Sequence, residues 1–222
     1  MQPDAILDAA DGVANRIAQR VMAKRGAAYE GEVRRLLDSG LAVMRSCGTS
    51  SRPRVSDIVA AAELSNEAFY RYFASKDALV AAILEDGTER LRSYVAHQMA
   101  QEPTPQAKVR RWVEGVLSQA ADDEIASTTL AVIWNAGSLS GELSGGPPYA
   151  TGPLATLLRE PFAALGSSDP DLDASLTAHA TVGKLADWLW QQIRPSPHDI
   201  QHVTDFCLPA AATKPRKRGT QR

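Results

Sequence analysis

The chain has 222 residues, of which 44% are hydrophobic and 6% aromatic, and its formal net charge is -2. This length allows one large or two small domains, and the two cysteines, Cys47 and Cys207, are too few for a disulfide framework. Charged residues interrupt every apolar run before it reaches the roughly 20 residues of a membrane-spanning helix, so we expect a cytoplasmic protein that has no membrane partner.

The small net charge hides an uneven distribution along the chain. Residues 16–54 contain nine Lys or Arg against three acids, whereas residues 98–208 contain six bases against thirteen acids. A basic end and an acidic end favour a protein that meets a polyanion with its N-terminal part only.

The first predicted helix covers residues 4–25, and Gly26 indicates its end. Its apolar positions follow the helical period: Ile6, Ala10, Val13, Ile17 and Val21. Two roles remain open for this helix. It either docks on the body of the protein or forms an arm that adds phosphate contacts through Arg16, Arg20 and Lys24.

A second helix is predicted over Tyr29–Arg45, followed by a loop over Cys47–Pro53. The stretch Arg54–Leu84 then contains three helical patterns in close succession. Apolar residues at helical spacing define the first one: Val55, Ile58, Val59 and Ala62.

Ser65 is a good N-cap for the second of these helices, Asn66–Tyr72, whose buried side carries Phe69 and Phe73. Ser75 caps the third, which we expect to run to about His97. A helix, a tight turn and a short polar-faced helix are typical of a helix-turn-helix unit, whose second helix enters the major groove of DNA.

Three strings carry a resemblance to a known family: V-S-D-I-V-A-A-A at residues 55–62, L-S-N-E-A-F-Y-R-Y-F at 64–73 and A-S-K-D-A-L at 74–79. They resemble the DNA-binding domain of the TetR family of bacterial transcriptional regulators. The family usually has Gly at the turn position that Glu63 occupies here. We therefore expect a slightly strained turn if the backbone requires a positive φ.

The resemblance implies that the short helices contact DNA. The expected contact residues are Arg54, Val55, Ser56, Ser65, Asn66, Glu67, Ala68, Tyr70, Arg71, Tyr72 and Lys76. Ser65 and Lys76 are expected on phosphates, whereas the side chain of Arg71 suits the edge of guanine.

Residues 98–208 are expected to form a helical ligand-binding domain, with Pro103 and Pro105 at its boundary. An amphipathic helix is predicted around residues 109–117 and a nearly apolar one over Ile125–Leu143. The segment Ser138–Pro153 is predicted to be a loop. Polar residues within apolar helices suggest a small-molecule pocket, for which we select Trp112, Trp134, Asn135 and His179.

The last two helices resemble the family's dimerisation helices. One extends from Leu172 to Ile193 with Gly183 among its small residues, and the next begins at Ser196 and Pro197. We expect a homodimer through these two helices, with an intrachain role as the alternative. The basic tail, residues 209–222, is expected to be disordered.

No catalytic motif is recognisable. The sequence lacks a phosphate-binding glycine loop, and Leu139 stands where a nucleophile elbow would need serine. His198 and His202 lie one helical turn apart, but no third metal ligand is placed beside them. We therefore predict no catalytic residue, no metal and no cofactor, and hence not an enzyme.

The expected protein is all-α, with an N-terminal helix-turn-helix DNA-binding domain followed by a helical ligand-binding and dimerisation domain. The predicted parts are an extension helix (1–27), the DNA-binding domain with its linker helix (28–97), the regulatory domain (98–208) and the tail (209–222). Its expected function is that of a repressor, released from a near-palindromic double-stranded DNA operator by a small hydrophobic effector. The alternatives are a helical enzyme that uses a Trp-lined cavity with His198 and His202, or an interaction protein that kept the fold without DNA binding.

Overall fold

The computed structural model describes residues 4–137 and 151–208, and in the first helix it describes the side chains of residues 15, 18–22 and 24 onward. All regular structure in these ranges is helical, which confirms the predicted all-α fold class. None of the helices described is long and apolar enough to cross a membrane. The predicted tail 209–222 and most of the predicted loop 138–153 lie outside the described residues, although residues 151–153 are helical.

The described ranges contain ten α-helices: α1 (Asp4–Cys47), α2 (Val55–Ala61), α3 (Asn66–Tyr72), α4 (Lys76–Ala100), α5 (Pro105–Leu117), α6 (Asp123–Ala136), α7 (Thr151–Ala155), α8 (Arg159–Ala164), α9 (Pro170–Gln191) and α10 (Pro197–Cys207). Two 3₁₀ turns, Ser118–Ala120 and Thr156–Leu158, follow α5 and α7. Side-chain caps begin several helices as predicted: Ser65, Ser75 and Ser196 each accept a backbone N–H of the first turn.

α1 is one helix of 44 residues, so the predicted end at Gly26 is wrong. Glycine ends a helix where the chain turns into the left-handed region. Here Ala27 and Ala28 follow and have high helix propensity, so the helix continues at a cost of about 1 kcal/mol for the glycine. The side chains described between residues 18 and 28 are all exposed, so they do not pack against the body of the chain.

α2 and α3 are joined by a tight turn in which Glu63 has a φ of 54°. The N–H of Leu64 donates to the carbonyl of Val59 at 2.9 Å and that of Glu63 to the carbonyl of Ala60 at 3.2 Å. This is the Schellman pattern, which needs a left-handed residue at the position of Glu63. The expected strain is therefore present.

Two hydrophobic cores hold the fold together. The first joins α1 to α2, α3 and α4 through a set of fully or almost fully buried residues that includes Leu36, Met44, Ile58, Phe69 and Leu79, and it also contains Ala136 of α6. The second lies among α4, α5, α7, α8, α9 and α10, with Trp112, Val113, Leu117, Leu158 and Phe162 fully buried. α6 therefore packs into the core of the helix-turn-helix as well as against the second core.

Replacing Glu63 with glycine should stabilise the protein. Glycine adopts a positive φ without the steric penalty of a Cβ, which outweighs its greater freedom in the unfolded chain, so we expect Glu63→Gly to raise the free energy of unfolding by about 0.5–1 kcal/mol. Urea unfolding measures this change.

Glu85→Gly is the matched control, because Glu85 is equally a solvent-exposed glutamate but lies inside α4. Glycine inside a helix should lower the free energy of unfolding by about 1 kcal/mol. Equal effects of the two substitutions would show that the turn at Glu63 is not strained.

Candidate nucleic-acid interface and cavity

The surface of α3 is divided into a buried and an exposed side. Phe69 is fully buried against the first core, and Phe73 just after the helix is 9% exposed. Ser65, Asn66, Glu67, Tyr70 and Arg71 are exposed. Because α3 is short, its buried aromatic side fixes its rotation and leaves the polar side accessible.

The exposed side agrees only in part with the predicted set of DNA contacts. Ala68 is 6% exposed and faces the core, so it offers little surface for the predicted DNA contact. It lies one residue before Phe69, within the arc of the helix that packs inward. At the start of α2, Arg54 and Ser56 are exposed and Val55 is half-buried, and Lys76 at the start of α4 is half-buried.

The C-terminal end of α3 is attached to α1 through Glu32. The hydroxyl of Tyr72 donates to Oε2 of Glu32 at 2.8 Å, and Nη1 of Arg71 lies 3.5 Å from the same oxygen. The guanidinium of Arg71 also lies over the ring of Tyr72, and the Tyr29 ring meets Tyr72 edge-on at 6.2 Å. This cluster holds the last turn of the exposed helix against α1.

Burial, and then the bond to Glu32, raises the pKa of Tyr72. The hydroxyl therefore stays protonated and acts as the donor to the carboxylate. The pKa of Arg71 is also raised, chiefly through its contact with Tyr72, so the guanidinium keeps its charge. Arg71 remains 48% exposed, which leaves it accessible to a phosphate or a base edge.

A cavity of about 490 Å³ lies where α1, α4 and α6 meet. α1 contributes Leu37, Asp38 and Leu41, and the remaining wall comes mainly from α4, α6 and α9. Most of the lining is aliphatic: Leu84, Leu91, Ile125, Val132, Ile133, Val182 and Leu185. A volume of this size and an apolar wall are typical of small-molecule sites.

Charged side chains bridge the helices along the α1–α4 side of this cavity. Nη2 of Arg90 lies 2.6 Å from Oδ2 of Asp86 and 3.7 Å from Oδ1 of Asp38. Arg34 of α1 binds the other oxygen of Asp86 at 3.1 Å. These partly exposed ion pairs connect α1 with α4 next to the space that a bound molecule would fill.

None of the four predicted pocket residues lines this cavity. Trp112 is fully buried in the second core, and its indole N–H donates to the carbonyl of Leu154 at 3.0 Å. Trp134 lies under the guanidinium of Arg52, with 5.7 Å between Cζ and the ring centroid.

The two polar residues of that prediction have partners within the chain. Nδ2 of Asn135 donates to the carbonyl of Ala131 in its own helix at 2.8 Å. His179 lies on the outer side of α9, with Nδ1 2.7 Å from the Ser175 carbonyl and Nε2 3.2 Å from Oγ1 of Thr151. The buried amide of Asn135 thus needs no ligand to satisfy it.

The sequence feature that could have located the cavity is a set of small residues rather than the aromatic ones. Gly87 lines it, and a Cβ added there would meet nothing within 4 Å. Thr88, Thr128 and Thr129 supply short side chains to the same wall. A run of small residues facing larger aliphatic ones leaves a space that close packing does not fill.

The outer face of the last two helices is apolar and exposed. Leu172, Leu176 and Trp190 of α9 are each about half exposed, and Phe206 of α10 is 70% exposed. The opposite side of α9, with Ala178 and Leu185, is buried in the second core. Exposed apolar surface of this extent indicates a contact with another molecule.

His198 and His202 lie on the solvent side of α10, and both are exposed. Within residues 4–137 and 151–208, no three His, Cys, Asp or Glu side chains are grouped so that they could hold a metal ion. The described part of the chain therefore gives this pair no third ligand.

Residues 51–83 match the family model described as "Bacterial regulatory proteins, tetR family". The matched segment includes α2, the strained turn, α3 and the first part of α4. The predicted resemblance to this family is thereby confirmed for the segment that carries most of the candidate DNA contacts. None of the curated proteins compared with the sequence matches it.

Solved structures of regulators share the fold over most of the chain. A TetR-family regulator from Mesorhizobium loti has a TM-score of 0.62 at 14% identity and covers 82% of this chain and 96% of its own. NemR of E. coli, in its reduced form, has a TM-score of 0.60 at 15% identity over 81% and 99%. The regulator FadR from Bacillus subtilis, solved with stearoyl-CoA, has a TM-score of 0.55 at 15% identity over 81% and 97%.

Proposed function

We propose that this protein is a DNA-binding transcriptional repressor and that a small, largely apolar molecule releases it from its operator. The basis is the helix-turn-helix, which matches the tetR family of bacterial regulatory proteins. The observation that carries the proposal is the exposed polar side of α3, where Asn66, Glu67, Tyr70 and Arg71 are accessible next to a rigid aromatic core. Side chains of these types read base edges in the major groove.

In this proposal α3 enters the major groove, and neighbouring groups bind phosphates. Arg54 and Ser56 at the start of α2 and Lys76 at the start of α4 lie at helix N-termini, where phosphate contacts commonly form. Ser65 adds a hydroxyl at the start of α3. Glu32 keeps the end of α3 rigid, so Arg71 loses less conformational freedom on binding.

The proposed effector site is the cavity between α1, α4 and α6. Its aliphatic wall suits a hydrophobic body, and the fold neighbour from B. subtilis shows that a related fold takes a ligand with a long acyl chain. A molecule in this site would separate α1 from α6 and so change the orientation of the helix-turn-helix. To release the DNA, the effector must bind the DNA-incompetent state of the protein more tightly than the DNA-competent state. The difference is about 1.4 kcal/mol for each tenfold loss of operator affinity.

We further propose a homodimer through the outer faces of α9 and α10. One short helix touches too few bases to be specific, whereas a two-fold pair of α3 helices reads two half-sites about 34 Å apart or at a multiple of that distance. The exposed apolar residues Leu172, Leu176, Trp190 and Phe206 would be buried in this contact.

Binding to DNA from beside the protein's own gene is the first test. Arg71→Ala should cost about 1–3 kcal/mol on the operator and relax the preference for one base, because Arg71 is placed to read a base edge. Lys76→Ala should weaken binding to all sequences. It should also reduce the slope of log affinity against log salt by the amount expected for about one phosphate contact. Fluorescence anisotropy over a series of salt concentrations measures both effects.

Arg92→Ala serves as the control for loss of a positive charge, because Arg92 lies on α4 away from α2 and α3 and is paired with Glu89. It should change operator affinity less than twofold. If Arg71→Ala left both affinity and base preference unchanged, α3 would not be the reading helix.

Gly183 tests the dimer. It lies on the exposed outer face of α9, and among the described residues a Cβ added there has no neighbour within 4 Å outside the backbone of its own helix. Gly183→Leu should therefore leave the monomer folded but hold two α9 helices apart. Sedimentation velocity should show loss of the dimer, with operator binding lost in parallel.

The matched control is Gly26→Leu, the same substitution in an exposed part of α1, which should keep the dimer. Circular dichroism checks that both variants remain helical. An unmodified protein that sediments as a monomer at micromolar concentration would contradict the proposed dimer.

Gly87 tests the cavity. Gly87→Leu places a side chain in the cavity wall and removes a helix-destabilising glycine, so the variant should fold at least as stably as the original. We expect it to bind the operator but to lose the response to any apolar effector found by screening, because the added side chain occupies the site. Operator release in the presence of the compound is the readout.

Ser93→Leu is the control for an added apolar side chain on α4, since Ser93 is exposed and does not line the cavity. It should respond to the effector as the unmodified protein does. If the effector released Gly87→Leu as readily as the original, its binding site would lie elsewhere.

A further inference from the structure

We propose that the exposed N-terminal part of α1 is a second DNA-contacting element, in which Arg25 binds a phosphate beside the groove entered by α3. This inference rests on the proposed DNA binding of α3.

α1 leaves the body of the protein at the DNA-reading helix. Its turn from Tyr29 to Glu32 contacts Tyr72, and Glu32 also pairs with Arg71, which is one of the candidate base-reading residues. The helix then continues without interruption from Tyr29 back to Asp4. At 1.5 Å per residue, these 25 residues extend about 38 Å beyond the contact with α3.

Helical periodicity determines which residues of α1 before Tyr29 lie on the side of the helix that faces α3. Residues four and seven apart lie above one another on a helix. Arg25 is four residues before Tyr29 and seven before Glu32, so it continues the stripe that contacts Tyr72 and Arg71. It lies only about 6 Å further along the axis than Tyr29. Arg20, nine residues before Tyr29, is on the opposite side of the helix.

The positive charge of residues 18–29 favours contact with DNA over contact with a second copy of the same helix. Residues 18–29 contain Arg20, Lys24 and Arg25 and no acid. Two such helices would repel each other, whereas a phosphate backbone attracts them. Arg25 is exposed, and among the described side chains no ion pair engages it. Its guanidinium is therefore free to donate to phosphate oxygens.

The test compares the full-length protein with Arg25→Ala, Arg25→Lys and Arg20→Ala, on operator DNA and on unrelated DNA over a series of salt concentrations. Arg25→Ala should lower the affinity for both DNAs by about three- to tenfold at moderate salt. It should also reduce the slope of log affinity against log salt by about 0.9, the value for one phosphate. A phosphate contact carries no sequence information, so the preference for the operator should be unchanged.

Arg25→Lys retains the charge and should recover most of the affinity. Arg20→Ala, on the opposite side of the same helix, should change affinity less than twofold. Circular dichroism should be the same for all variants, because the side chains of Arg20 and Arg25 are exposed.

Two results would overturn the inference while leaving the proposed function intact: an Arg25→Ala variant with unchanged affinity and salt slope, or equal losses for Arg25→Ala and Arg20→Ala. In both cases the unmodified protein would still bind its operator, and Arg71→Ala would still impair that binding. An unmodified protein that binds no DNA would overturn the proposed function and this inference together.

Discussion

The attachment of α6 to α1 is the constraint on which the rest of the structure depends. Ala136 at the end of α6 is buried in the core of the helix-turn-helix, whereas Leu130 and Ile133 of the same helix pack against the second core. Two further contacts reach α6: Arg45 of α1 pairs with Glu124, and Arg52 in the loop after α1 lies over Trp134. The helix-turn-helix therefore cannot reorient without moving α6 or breaking these contacts.

These contacts differ in strength. The burial of Ala136 contributes through close packing, whereas the Arg45–Glu124 pair is largely exposed, and exposed pairs contribute at most about 1 kcal/mol. The ion pairs of Arg90 near the cavity are also partly exposed. These ion pairs are therefore weak, and the apolar contacts of Ala136 and the partly buried Val132 hold α6 against the helix-turn-helix core.

The cavity lies at this junction and not within the second core. A core as closely packed as that around Trp112 transmits strain but has no room for a ligand, because its residues are fully buried. At this junction Gly87 and the threonines stand in place of larger side chains and leave space between the two cores. A molecule bound in this cavity would therefore lie against α1, the helix that also holds α3 through Glu32.

The sequence by itself determined the local structure of this protein. The caps at Ser65, Ser75 and Ser196, the buried Phe69 and the strained turn at Glu63 follow from hydrogen-bonding groups and periodicity within a few residues, and all of them are present. The resemblance to the tetR family rests on the same short-range pattern. The end of α1 was missed because an exposed glycine followed by two alanines does not by itself stop a helix.

Only the tertiary structure determined where the cavity lies and which helix faces are exposed. Trp134 and Asn135 looked like pocket residues because polar and aromatic side chains stand out in an apolar helix. Their partners, Arg52 and the carbonyl of Ala131, become visible only when the chain is folded. Ala68 likewise turned out to face the core. A cavity is the space that residues from separate helices leave between them, so its position depends on long-range packing that no local pattern encodes.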